Sequence, residues 1–164
     1  MNRRSLINLS AITALGLAVL PGIAVSQQKS IKDTIVGSWS ITSVVDQYES
    51  GKKINNWGAV KGNISFDRAG RFNQIIIGDA QPAMKTPDPR KPDAPVVAYY
   101  GSYSVNEGNK TITTKLDAAS YSPRAGTELT LTVAIKGDTL SLVGSPRKDQ
   151  EGTFTPHLEL KRAK

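Results

Sequence analysis

The sequence predicts an all-β protein: an eight-stranded antiparallel up-and-down β-barrel that follows an N-terminal signal peptide. Three observations predict it. Apolar and polar residues alternate with period two from Thr34 onward, and no window carries a helical period. Most of the alternating runs are joined by short turns rich in Gly, Asp and Asn. The first run opens Gly37-Ser38-Trp39, with a glycine two positions ahead of one of only two tryptophans.

The chain begins with the three regions of a secretory signal. Met1 to Arg4 holds two arginines, Leu6 to Leu20 is uncharged and mostly apolar, and Ala24-Val25-Ser26 is a small-x-small cleavage site. The expected division is therefore residues 1–26 as signal peptide and residues 27–164 as one barrel domain. An uncleaved anchor is the alternative, but Asn8, Ser10 and Thr13 interrupt the apolar run and Pro21-Gly22 breaks it. Arg3-Arg4-Ser5-Leu6-Ile7 partly matches a twin-arginine signature, so general secretion and twin-arginine export both stay open. Cysteine is absent, which removes a lipoprotein anchor and any disulfide framework. The expected location is periplasmic or secreted, with no membrane span after cleavage. A domain of this size buries roughly two thirds of its unfolded surface, enough for one closed core.

Cleavage removes two of the 21 basic residues and none of the 14 acidic ones, leaving a net charge of +5. The cations are scattered, apart from the C-terminal Lys161-Arg162-Ala163-Lys164, and few aromatics lie between them. A nucleic-acid surface interleaves the two, so no nucleic-acid partner is expected. Oligomeric state is not readable.

The elements follow in order. Ile35, Gly37, Trp39, Ile41 and Val45 share one face of the first strand. Residues 62–67, GNISFD, form the second, and Asp67-Arg68-Ala69-Gly70 makes a tight turn with glycine last. Residues 71–78 are the third and 96–106 the fourth; Asn106 to Asn109 turns the chain into the fifth, 110–118. In 127–136, Leu129, Leu131, Val133 and Ile135 oppose Glu128, Thr130, Thr132 and Lys136. Gly137-Asp138 leads into 139–145, and 153–162 ends the chain. Eight strands close into a barrel that holds one small ligand or is filled by side chains, and closure hides the edges that invite aggregation. Two connections are irregular. Residues 79–95 contain five of the nine prolines and form either a lid or a solvated loop; the other is 119–127.

In a closed barrel the Gly-x-Trp spacing has a physical reading. Glycine lets backbone pass close to its neighbours, and two residues on, Trp39 points to the same face and plugs one end. A cation from the last strand, which ends Lys161-Arg162, can stack on the indole.

This pattern resembles the lipocalins, in which Gly-x-Trp opens the first strand and an arginine near the end of the last strand packs over the tryptophan. More closely, the chain is similar to the bacterial secreted lipocalin-like domain family. The matching stretches are Val36-Gly37-Ser38-Trp39, Gly62 to Ile75, Tyr99 to Val105, Gly126-Thr127 and Gly137 to Leu142, and together they cover nearly all of residues 35–162. The proline-rich 79–95 segment departs from the pattern. The resemblance implies a calycin-type barrel that binds a small hydrophobic or amphipathic molecule, with Gly37, Trp39 and Arg162 closing the barrel and Lys161 as the register alternative for the cation.

Catalytic residues are sparse. The single histidine, His157, sits with Thr155, Glu159 and Lys161 on the polar face of its strand, which reads as solvated rather than catalytic. One His and no Cys make no metal set, and no phosphate-cradling glycine motif is present, so no metal, cofactor or catalytic residue is expected. Asn63-Ile64-Ser65 and Asn109-Lys110-Thr111 match the glycosylation sequon by chance. If the apolar faces point inward, the lumen is lined by Phe66, Phe72, Ile76, Tyr99, Tyr103, Leu129, Leu131 and Val133, either around a cavity or as a filled core. Trp57 and Tyr121 are the candidates for the mouth. Two other readings stand beside ligand binding: an envelope scaffold with a filled barrel, and a cyclase- or isomerase-like barrel using one tuned acid, for which Glu128 and Asp117 are the residues to inspect.

Overall fold

Residues 29–79 and 94–164 are described here by a computed structural model. The expected signal peptide and residues 80–93 of the proline-rich connection lie outside the described residues. Ten strands form one sheet: β1 (Gly37–Tyr48), β2 (Lys53–Ile54), β3 (Lys61–Phe66), β4 (Arg71–Ile77), β5 (Val96–Asn106), β6 (Thr111–Ala119), β7 (Glu128–Lys136), β8 (Thr139–Val143), β9 (Arg147–Lys148) and β10 (Thr153–Arg162). Eight of them, all but β2 and β9, run β1-β3-β4-β5-β6-β7-β8-β10, each antiparallel to the next, and β10 pairs back onto β1. The all-β, eight-stranded antiparallel up-and-down barrel expected from the alternation is therefore the fold. The two-residue β2 and β9 are additions that pair on β1 and β10.

The β1–β10 seam closes the cylinder from Trp39 opposite Arg162 to Tyr48 opposite Phe154. Its register shifts between Ile41 and Ser43, where Thr42 is an extra residue whose Oγ1 donates to the Glu159 carbonyl at 2.9 Å. A bulge reverses the alternation beyond it, so Val44 is buried and Val45 is not. The expected placement of Val45 beside Ile41 is corrected by that one residue. A second shift, between Tyr100 and Gly101, leaves Asp117 without an opposite number on β5. Gly101 is needed there, because a Cβ would stand 1.9 Å from the Lys115 carbonyl oxygen.

One element was not visible in the periodicity. α1 (Ile31–Ile35) is a five-residue helix capped by Ser30, whose Oγ accepts from the Asp33 amide at 3.0 Å. Glu107, in the β5–β6 turn, accepts from the Ile31 and Lys32 amides at 3.0 and 2.9 Å. A carboxylate suits a helix N-terminus, where amides lack partners and the dipole is positive.

The helix closes one end of the barrel. Ile35 and Trp39 are fully buried, with Ile112, Leu140 and Leu160 around them. The Trp39 indole N–H donates to the Ile35 carbonyl at 2.7 Å, and the Arg162 guanidinium carbon lies 4.1 Å from the indole ring centroid. Arg162 also donates to the Thr34 carbonyl at 2.7 Å and the Val36 carbonyl at 3.2 Å. Gly37 has φ +126°, and a Cβ there would sit 3.1 Å from Arg162 Nη1. The glycine thus meets a left-handed backbone and a guanidinium, not a neighbouring strand's backbone. Burying an indole of about 150–250 Å² contributes roughly 4–6 kcal/mol at about 25 cal/mol per Å².

Arg162→Lys keeps a cation over Trp39 but loses the planar fork of donors, whereas Arg162→Gln loses both. Urea unfolding is expected to show a loss of about 1 kcal/mol for R162K and about 2–3 kcal/mol for R162Q. Equal stability of R162Q and the parent would show that the cation does not close this end.

Candidate ligand-binding site

The lumen is filled in the half nearest α1. Phe66 and Phe72 are buried there, with ring centroids 6.4 Å apart. Tyr103 meets Phe66 edge-on at 5.0 Å, and its hydroxyl donates to the Asp67 carbonyl at 2.7 Å. Burial, and then the Asp67 charge, raise its pKa. Its amide donates to the Gly70 carbonyl at 2.7 Å, so Tyr103 pins the β3–β4 turn. Val133 is buried nearby among Ile112, Leu140 and Leu142 in the same core. None of Phe66, Phe72, Tyr103 and Val133 reaches the open space described next.

The other half of the lumen holds a cavity of about 200 Å³. Ile76, Tyr99, Leu129 and Leu131 line it, joined by Val44, Val97 and Leu158. Phe154 and Pro156 on β10 form the seam side, and Trp57 lies at the rim. Four of the eight expected lumen residues therefore meet here, with one of the two mouth candidates. Tyr121, the other, is 60% exposed and lies outside the lining.

Trp57 is held by its own loop. Asn55 Oδ1 accepts from the Trp57 amide at 3.0 Å, and the Trp57 carbonyl accepts from the Asp79 amide at 3.0 Å. Its ring and carbonyl occupy the space a side chain at position 78 would need. That is why the residue after Ile77 is glycine.

Polar groups enter the cavity from five strands. Thr114 is 3% exposed and donates to the Leu129 carbonyl at 3.3 Å. Gln74 and Tyr99 come from β4 and β5, and Asp46 comes from β1, where it accepts from Asn56 Nδ2 at 3.2 Å. Asp46 faces inward only because of the bulge at Thr42, which is why the alternation read from the sequence missed it. Arg147 on β9 stands opposite Phe154 on β10. Cross-strand partners share a face, so Arg147 also lines the cavity. Nothing in the polar run Ser145 to Gly152 signals this, because β9 is only two residues long.

The wall has a side opening beside Arg147. The β7–β8 ladder stops at Thr132 opposite Val143. Beyond it the Gly144 amide donates to the Pro156 carbonyl at 2.9 Å, so the chain follows β10 and leaves the first half of β7. The gap is a groove of about 200 Å³ lined by Arg124, Glu128, Leu129, Thr130, Leu131 and Gly144 to Arg147. Ser145 Oγ crosses it to the Thr130 carbonyl at 3.3 Å. Arg147 as a whole residue is exposed, but it borders both spaces. Its partial burial there, and then the Arg124 charge, pull its pKa down, while Tyr99 and Asp46 oppose the shift. It remains a cation at any working pH.

Neither acid singled out for inspection enters the lumen. Asp117, next after the buried Leu116, faces outward and pairs with Arg71 at 2.7 Å, and Glu128 is exposed on the outer side of the groove. His157 lies between Val45 and Val143 in the sheet and points outward with Glu159. Among the described residues no cluster of His, Cys, Asp and Glu could hold a metal, and no helix is long and apolar enough to cross a membrane. A roomier groove of about 470 Å³ lies on the outer wall, lined by Ser38, Ser65, Arg71, Asn73 and Tyr100 among others. It is open, and its seryl groups bond to one another and to Asn63.

No protein-family model and no curated protein matches the chain. Among solved structures it is similar to a lipocalin-like protein from Bacteroides uniformis ATCC 8492. The two share 17% identity at a TM-score of 0.43, over 79% of this chain and 98% of that one.

The mouth turn that carries β9 is tied down by Tyr48. Its hydroxyl donates to Asp149 Oδ2 at 2.7 Å, while Asp149 Oδ1 accepts from the Glu151 and Gly152 amides at 2.8 and 3.1 Å. The Asp149 hydrogen bond, followed by burial, pushes the Tyr48 pKa up to about 12. The same bond, helped by the turn amides and opposed by burial, holds the Asp149 carboxyl below the usual range. A depressed acid contributes stability above its unfolded pKa, about 4, and loses it as pH falls through the folded value. A raised phenol contributes below its unfolded pKa, about 10, and loses its share as pH rises through the folded value. Tyr48→Phe is therefore expected to lower the Tm at pH 7, by a margin that shrinks as the pH drops below about 4. Melting curves of both proteins across that range check it; a pH-independent margin would show that the hydroxyl does not act through the Asp149 carboxylate.

Proposed function

We propose that the chain is an exported lipocalin-like barrel that binds a small hydrophobic or amphipathic molecule in the mouth half of its lumen. The observation that carries this reading is the cavity of about 200 Å³ between Val44, Ile76, Leu129, Leu131 and Leu158, in a barrel otherwise filled by side chains. Pockets for drug-sized ligands span about 300–1,000 Å³, whereas about 150 Å³ suffices for one benzene ring. The ligand is accordingly small, one ring or a short alkyl chain. Export rests on the three regions of residues 1–26, with residues 27–164 as the mature periplasmic or secreted domain. The absence of interleaved cations and aromatics leaves nucleic acid out of this reading.

The scaffold reading keeps one observation in its favour. Ile75, Ile77 and Tyr100 are 45, 41 and 51% exposed on the outer wall of β4 and β5, where an apolar patch can mark a partner. The enzyme reading loses its two expected acids, since Asp117 and Glu128 lie outside the lumen.

A native mass spectrum of residues 27–164, purified from periplasm without detergent, separates these. A discrete added mass that denaturation releases is the expected result, abolished by Leu131→Trp, which fills the cavity, and retained by Tyr100→Ser on the outer wall. An adduct that survives Leu131→Trp and is lost in Tyr100→Ser would move the function to the outer surface.

A further inference from the structure

We propose that the ligand is a small amphipathic anion, its apolar body in the lumen and its charged head on Arg147 at the side opening, with Arg124 flanking. This rests on the ligand-binding reading and adds the class of ligand. Three features point to it together. The β7–β8 ladder ends early, and the lumen and the groove beside it share Leu129, Leu131 and Arg147 in their linings. Both arginines line that groove, and Arg147 alone of the two also lines the lumen. Among the described residues, neither guanidinium has an ion pair or a side-chain hydrogen bond.

Two cations held near one another repel, and the Arg124 charge is felt at Arg147. An anion between them converts that repulsion into charge-assisted hydrogen bonds, which a guanidinium makes two at a time. The acids nearby do not fill this place. Asp46 sits inside the cavity with Asn56 as its hydrogen-bond partner, and Glu128 is exposed across the groove without pairing to either arginine. A neutral ligand would leave the guanidinium partly desolvated and unpaired, and a cationic one would meet two like charges. The apolar wall formed by Val44, Ile76, Leu129 and Leu158 supplies the site for the body, and the net charge of the chain favours the approach of anions.

The test compares three probes of one size, hexanoate, hexan-1-ol and hexylamine, by calorimetry or ligand-observed NMR on the purified protein. Hexanoate is expected to bind about tenfold more tightly than hexan-1-ol, the effect of one charge-assisted hydrogen bond, and hexylamine least. Arg147→Gln is expected to erase the preference for hexanoate over hexan-1-ol; Arg124→Gln reduces the preference by less. Equal binding of hexanoate and hexan-1-ol, or a preference that persists in R147Q, overturns the anion assignment while the cavity reading stands. If none of the three binds, the cavity reading fails and this inference with it.

Discussion

The Arg162 guanidinium joins three parts of the chain at one point. It stacks on Trp39 from the first strand, takes the Thr34 and Val36 carbonyls at the end of α1, and belongs itself to the last strand. A barrel built as a meander is closed only where its first and last strands meet, and this contact fixes that seam at Trp39 opposite Arg162. From that register the pairing continues to Tyr48 opposite Phe154, with one bulge on the way. The left-handed Gly37 and the helix held by Glu107 follow from it, because both bring the chain across the barrel floor to where the guanidinium waits.

The same closure makes the two ends of the barrel unlike. At the α1 end, large side chains (Trp39, Phe66, Phe72 and Tyr103) pack into the core. Toward the mouth the inward residues include the smaller Val44, Val97, Thr114, Leu129 and Leu131, and β8 departs from β7 to follow β10. Space and a side opening arise together there. Its two charged groups, Asp46 and Arg147, come from a bulged strand and from a two-residue strand, where side-chain direction departs from simple alternation.

The barrel was legible because alternation is a strong signal wherever one face is buried, and β7, β8 and β10 follow it without interruption. Trp39 and its stacking cation were legible too, since a plug and its cap need only their positions at the two chain ends. Legibility failed where one extra residue enters a strand. The bulge at Thr42 turned Val44 and Asp46 inward. It also failed for Arg147, whose direction is set by the pairing of a two-residue strand with Phe154. The five-residue α1 is too short for a helical period to register, although Ser30 with Asp33 three residues on is a capping signal. Which lumen residues meet empty space depends on local volume at each level, and strand patterning carries no information about that.

The lumen is open at one end and filled at the other. Methyl-resolved NMR of the protein titrated with benzene tests it most directly, since the neutral ring needs space alone. Shifts are expected at Val44, Ile76, Leu129, Leu131 and Leu158, and none at Ile64, Ile112, Leu140 or Leu160. Shifts confined to Ile75 and Ile77 on the outer wall, or no saturable shift at all, would contradict it.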